Sequence, residues 1–219
     1  MTYFDIYKTR LGASGDTIKE LILNNTNNLI SGNFANSPNY TQIYINDLQV
    51  ASDALVLEGD IKWGVFKRII TKWDTPIKLG DLITFDDNKW LVVHMLQDID
   101  LYYSALMRKC NQTLTIQTGT TQVFKGYDSM GRPVYDIIPS YSSWDCIVDK
   151  KIFNTVNFDE PVNLPYSRIS VIISYTDNAY ITYNTEFSMW GDVYKIIGID
   201  RTNVVGAEGI ITIIAELVV

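Results

Sequence analysis

From Tyr40 onward the chain is written in short runs of Ile, Val, Thr, Tyr and Trp, separated by Gly, Asp, Asn and Pro. That alternation is the pattern of strands joined by turns. The segment before it is different. Asp16 stands as a candidate N-cap, and Ile18, Leu21, Ile22, Leu29 and Ile30 fall near helical spacing, which predicts a helix from about Thr17 to Leu29. The run Asn24, Asn25, Asn27 and Asn28 works against it, because short amides compete for backbone hydrogen bonds, so fraying or a kink is expected in the second half. Asn33 to Asn39, with Gly32 before it and Pro38 within it, reads as a linker.

The predicted strands are Thr41 to Ile45, Ala54 to Leu57, Val65 to Thr71, Leu82 to Phe85, Lys89 to Leu96, Tyr102 to Lys109 and Thr113 to Thr118. A later set follows at Ile169 to Ser174, Tyr180 to Tyr183, Glu186 to Met189, Val193 to Ile199 and Ile210 to Val218. Between the sets, Tyr127 to Arg132 separates Val123-Phe124 from Val134-Tyr135. Gly131 is available there for a positive φ, so this stretch reads as a hairpin projecting as a tongue. Pro139, Pro161 and Pro165 then punctuate a region expected to be loop-rich. The expected fold is mainly β: small barrel or sandwich units of antiparallel hairpins behind a short N-terminal helical arm. Its divisions are an arm and linker over 1–39, a first β unit over 40–118, and a tongue, loops and second β unit over 119–219.

Two stretches echo each other. Gly80-Asp81-Leu82-Ile83-Thr84-Phe85, a turn, and Lys89-Trp90-Leu91-Val92-Val93 match Glu186-Phe187-Ser188-Met189, Trp190-Gly191-Asp192 and Val193-Tyr194-Lys195-Ile196-Ile197. Each is a strand, a tight polar turn and an apolar strand opening on an aromatic residue. Any two hairpins resemble one another to some degree, and one echo falls short of a periodic repeat. If the echo is a structural duplication, Trp90 and Tyr194 become equivalent packing residues.

The composition of the 219 residues changes this picture little. A hydrophobic fraction of 47% supports a core, and no apolar run approaches the roughly 18 residues of a membrane span. Met1 to Arg10 lacks the apolar run of a secretory signal, so synthesis ending in the cytoplasm is expected. On that basis the Asn-x-Thr triplets at Asn24, Asn39 and Asn111 read as turn chemistry. Cys110 and Cys146 read as buried thiols rather than a disulfide framework. The net charge of −7 argues against gripping a nucleic-acid backbone, which needs clustered Lys and Arg.

The chemistry of catalysis is thin. His94 is the one histidine, set by alternation on the face of Trp90 and Val92, and it reads as a hydrogen-bonded strand residue. No phosphate-binding glycine loop, nucleophile elbow or Cys-x-x-Cys pair is present. Asp86-Asp87-Asn88 reads as turn chemistry rather than a metal site. Asp98 with Asp100, and Asp159 with Glu160, default to solvated loop acids. No catalytic residue, cofactor or metal is expected. The aromatic clusters expected to be exposed are Tyr102 and Tyr103, and Tyr175, Tyr180 and Tyr183.

Gly80 to Gln117, with Lys89-Trp90-Leu91-Val92-Val93, an acidic loop, Tyr103, Arg108 and Cys110-Asn111, resembles the neck proteins of tailed phages that infect Gram-positive bacteria. The stretch from Thr185-Glu186-Phe187 through Trp190-Gly191-Asp192 to Tyr194-Lys195-Ile196 and Ile199-Asp200 is similar in the same sense. Together they cover about half the chain, by hairpin patterns that carry no chemical signature. The resemblance implies a structural virion protein: a ring beneath the portal, contacting portal or adaptor and tail proteins, with DNA passing unbound and no membrane. The candidate interface residues, taken from the arm, the tongue and the aromatic clusters, are Thr17, Leu21, Tyr102, Tyr103, Tyr127, Met130, Arg132 and Tyr180. The acidic balance suits a wall past which a polyanion slides. Two other readings stay open: a carbohydrate- or receptor-binding module of the virion using Tyr and Trp beside Asp and Asn, and a two-carboxylate glycosidase.

Overall fold

The computed structural model describes residue 3 and residues 17–59, 66–99, 101–152 and 162–218. The chain forms two compact units, Met1–Lys109 and Cys110–Val219. The sequence pattern alone had set the division at 118/119. It falls instead just before Gln112, where a strand of the second sheet begins.

Helix α1 spans Ile18–Phe34. Its N-cap is Thr17, not Asp16, which lies outside the described residues. The Thr17 hydroxyl accepts from the Glu20 N–H at 3.2 Å and the Glu20 carboxylate accepts from the Thr17 N–H at 3.1 Å. This reciprocal box satisfies two otherwise orphaned N–H groups. The helix also runs five residues past Leu29, through the asparagine-rich stretch. The Thr26 hydroxyl donates to the Ile22 carbonyl and the Asn33 amide to the Leu29 carbonyl, so these polar groups bond within the helix. Phe34 anchors its end: the ring is buried, with Lys72 Nζ 5.4 Å from its centroid.

The first unit is a closed antiparallel barrel of β1 (Tyr40–Ile45), β2 (Ser52–Glu58), β3 (Phe66–Lys72), β4 (Leu82–Phe85), β5 (Asn88–Ile99) and β6 (Tyr102–Lys109). Around the barrel they stand in the order β1-β2-β3-β6-β5-β4. Tyr44 opposite Thr84 and Ile45 opposite Ile83 close it, leaving no sheet edge. Asp86 and Asp87 form the two-residue turn from β4 to β5 with φ of 51° and 55°. Short Asp side chains tolerate this left-handed pair, which matches the twist of a hairpin.

His94 departs from simple alternation. A register shift between Val92 and His94 inserts one residue into β5, so Trp90 and Val92 enter the core while His94 leaves their face and Met95 replaces it.

At the barrel surface, Asp53 accepts from Lys72 Nζ at 2.6 Å and from the Tyr40 hydroxyl at 2.7 Å. The Lys72 hydrogen bond, then that of Tyr40, holds the Asp53 carboxyl below its ordinary range. A carboxylate lowered by folding contributes stability above its unfolded pKa of about 4, lost as pH falls through the folded value. Asp53→Asn should therefore lower stability at neutral pH and flatten the acid limb of the first unit's unfolding. A limb as steep as the parent's would refute this account of the triad.

The second unit contains β7 (Gln112–Tyr127), β8 (Pro133–Asp149), β11 (Arg168–Ser174), β12 (Glu186–Met189), β13 (Asp192–Asp200) and β15 (Glu208–Leu217). They stand in the order β12-β13-β15-β11-β8-β7. A short β14 (Val204–Val205) pairs with β15, and β9 (Lys151–Ile152) pairs with β10 (Val162–Asn163).

Read from the other end, that order is β7-β8-β11-β15-β13-β12, the same path as the first barrel. The registers agree residue by residue. Gly80 and Asn184 both have positive φ, 90° and 66°, and donate to the carbonyls of Val92 and Ile196. Val92 and Ile196 donate in turn to Asp81 and Thr185. The Asp86-Asp87 turn corresponds to Trp190-Gly191, and the shift at Val92/His94 to one at Ile196/Gly198. Trp90 faces Ile83 across its hairpin as Tyr194 faces Phe187. The echo in the sequence is therefore a duplicated architecture.

The two cores occupy matching positions. Ile43, Ala54, Ile69, Ile77, Ile83, Trp90, Val92, Ala105 and Met107 in one correspond to Leu114, Cys146, Val171, Ile181, Phe187, Tyr194, Ile196, Ile213 and Ala215 in the other. Volume is exchanged between neighbours: Ala105-Met107 becomes Ile213-Ala215, and Ile83-Trp90 becomes Phe187-Tyr194. Such exchange keeps a core filled while its residues change.

Tyr180 to Tyr183, expected as a strand, is a turn. The Asn178 side chain accepts from the Tyr180 N–H and the Thr185 hydroxyl donates to the Tyr180 carbonyl, bonding backbone groups a strand would offer to a neighbour. Conversely, Pro139 lies within β8, opposite Thr120. The edge of a two-stranded ribbon tolerates a residue with no N–H.

Candidate functional site

One hairpin is far longer in the second unit than its counterpart in the first. In the first, Ile43 pairs with Ser52 and the connection to β2 follows shortly after Ile45. In the second, the corresponding Leu114–Trp144 pair is only the base of a ladder that continues to Tyr127 opposite Pro133. Leu114, Ile116, Cys146 and Val148 anchor the base in the core. Beyond it the ribbon is exposed on both strands.

Local chemistry builds the tip. Asp128 Oδ1 accepts from the N–H groups of Met130 and Arg132, both at 2.8 Å, and the Asp128 N–H donates to the Arg132 carbonyl at 2.8 Å. Gly131 takes φ of 75°, the conformation foreseen for it. A register shift between Phe124 and Gly126 twists the ribbon. Lys125 and Asp136 form an exposed ion pair at 3.0 Å.

The side chains on this ribbon are unusually apolar for their exposure. Phe124 packs edge-on against Tyr127 at 5.2 Å and Tyr135 at 5.8 Å, giving an aromatic cluster, while Ile137, Ile138 and Tyr141 remain more than half exposed. Contiguous exposed apolar surface marks a contact site far more often than an isolated apolar residue does.

The nominated interface residues divide accordingly. Tyr127, Met130 and Arg132 sit together at the tongue tip, with Tyr127 and Met130 more than 70% exposed. Tyr180 lies at the tongue's base, its hydroxyl 3.9 Å from where a Cβ on Gly119 would stand. Thr17 is exposed at the start of α1, while the side chain of Leu21 lies outside the described residues. Tyr102 and Tyr103 are half-buried, opposite Lys72 and Thr71, and Tyr103 packs on the barrel core. Tyr175 packs on the second core, whereas Tyr183 is exposed.

Of the ribbon's apolar side chains, Ile137, Ile138 and Tyr141 escaped the sequence reading. The signal that could have found them is the apolar content of Pro133 to Tyr141 outside any predicted core strand.

Other reactive groups have structural surroundings. Cys146 is fully buried and desolvation pushes its thiol up to about 12, so it stays protonated at neutral pH, while Cys110 is half-buried. Asp98 lies on β5, with its side chain outside the described residues, as are Asp100, Asp159 and Glu160. Among the described residues no group of three or more His, Cys, Asp or Glu could hold a metal ion.

The fold and ribbon together define a mainly β protein of two units, a closed six-stranded barrel and a sheet of the same strand order that carries a long exposed hairpin. Residues 112–216, from the first residue of β7 into β15, match the family of YomX C-terminal domains. Over 141 residues the chain is 24% identical to the SPbeta prophage-derived uncharacterized protein YomX of Bacillus subtilis (strain 168), covering 63% of this chain and 64% of that protein. The match thus spans less than two thirds of the relative's length. It supports a phage-derived origin. No solved structure matches the chain.

Proposed function

We propose that this chain is a structural virion protein of a tailed phage, a ring-forming head-tail connector component at the neck that joins portal to tail around the DNA channel. The observation that carries the reading is the tongue: a ribbon with exposed aromatic and aliphatic side chains, present on one of two units of the same strand order and outside either core. The likeness to a prophage-derived protein supports a place in phage biology. Its partners on this reading are portal or adaptor and tail proteins, with a net charge of −7 letting DNA pass without being gripped. It acts by contact, without catalysis or cofactor.

Quantitative peptide mass spectrometry of purified particles tests the proposal. Copy number comparable to the portal protein is the expected result. Absence from particles would overturn it, and a many-fold excess would move the protein to tail or capsid.

A second reading, a carbohydrate- or receptor-binding module, is favoured by Tyr183 and Trp190, both more than half exposed, with Tyr180, Asp177 and Asn178 in the same unit. Glycan-array binding lost in Trp190→Ala would support it, and a blank array would remove it.

A further inference from the structure

We infer that the tongue seats against a second copy of this chain, and that this contact is the one that carries ring assembly; the inference rests on the connector reading above. The duplication supplies the first reason. Because the first barrel has only a short connection at the same place, the shared architecture does not call for the extension beyond the Gln117–Tyr141 pair, and none of its residues belongs to the second core. A two-stranded ribbon is marginal in water by itself, so its apolar side chains need cover from outside.

The apolar patch and its charge name the occupant. The ribbon exposes nine large apolar side chains between Val123 and Tyr141, each 38–77% exposed, a contiguous patch of the kind that marks a protein contact. Both faces carry it: paired Phe124 and Tyr135 on one, Ile138 and Val123 on the other. A ribbon apolar on both faces is covered by insertion into a neighbour, the head-to-tail arrangement from which rings close. The tongue is also neutral, with Lys125 and Arg132 against Asp128 and Asp136, in a chain of net charge −7. Copies of an acidic protein repel over most of their surfaces, and a balanced apolar element is where they approach at least electrostatic cost.

Sedimentation of the full chain across a concentration series, with three proteins compared, tests this. The parent is expected to self-associate. Ile137→Asp keeps the ladder and sets a carboxylate on the apolar face, and should weaken association by a factor on the order of 30 or more, the size of a hot-spot loss. A chain with 118–140 replaced by Asn-Gly should sediment as a monomer while keeping its far-ultraviolet β signal. Should the replacement not fold, Ile137→Asp alone decides. A parent monomeric at all concentrations, or association undiminished by Ile137→Asp, overturns the inference. Particle mass spectrometry separates the two failures: a monomer present at portal copy number defeats the tongue contact alone, and an oligomer absent from particles defeats the connector reading.

Discussion

Trp90→Ala is expected to destabilise the first barrel by about 3–5 kcal/mol, the range for truncating a buried aromatic side chain. Trp90 is 8% exposed, stacks on Phe85 at 5.3 Å and carries Lys67 Nζ 5.5 Å from its ring. Its indole N–H is buried without a hydrogen-bond partner among the described residues. Trp90→Phe should therefore cost far less than Trp90→Ala, because it keeps a ring against Phe85 and removes a desolvated donor. Denaturant unfolding checks both. With two compact units the curve is read as two transitions, and only the first barrel's midpoint should move. A loss under about 1 kcal/mol for Trp90→Ala would mean that the core does not depend on this residue.

Gly209→Ala should produce a comparable loss in the other unit. Gly209 sits at φ of 130° where β15 leaves the β14 hairpin. A Cβ there would overlap the Asn203 carbonyl oxygen and stand 2.9 Å from Val204 Cα, both backbone atoms that no rotamer change can clear. The backbone conformation costs an alanine about 1–3 kcal/mol and the clash adds to it. Gly131→Ala, also at positive φ but with nothing within 4 Å of the added Cβ, is the matched control for conformation without collision. If the two variants unfold alike, the close approach at Asn203 is not what the glycine is for.

The strands with the cleanest runs were legible in the sequence. Leu82–Phe85, Tyr102–Lys109 and Glu186–Met189 stand at the expected bounds, since each is a short apolar run between turn residues. The tongue's tip was legible through Gly131 and Asp128. The tongue's length was not, because solvent-exposed strands lack the burial that produces alternation, and Pro139 looked like a break. The buried faces of Tyr102 and Tyr103 were equally hidden, since a tyrosine beside acidic residues reads the same whether its ring packs inward or outward.

By itself the sequence determined the class of the protein: strand vocabulary, turn chemistry and hydrophobic content require β units behind a helical arm. The duplicated hairpins were visible too, because turn and register residues are local. Tertiary structure decided that the duplication extends to whole six-stranded paths, with Ile83-Trp90 matched by Phe187-Tyr194. It also decided that Gln112 to Thr118 begins the second sheet rather than ending the first. Those facts depend on which strands pair across long stretches of chain, and a core accepts many residue exchanges at constant volume, so equivalent positions carry little common sequence.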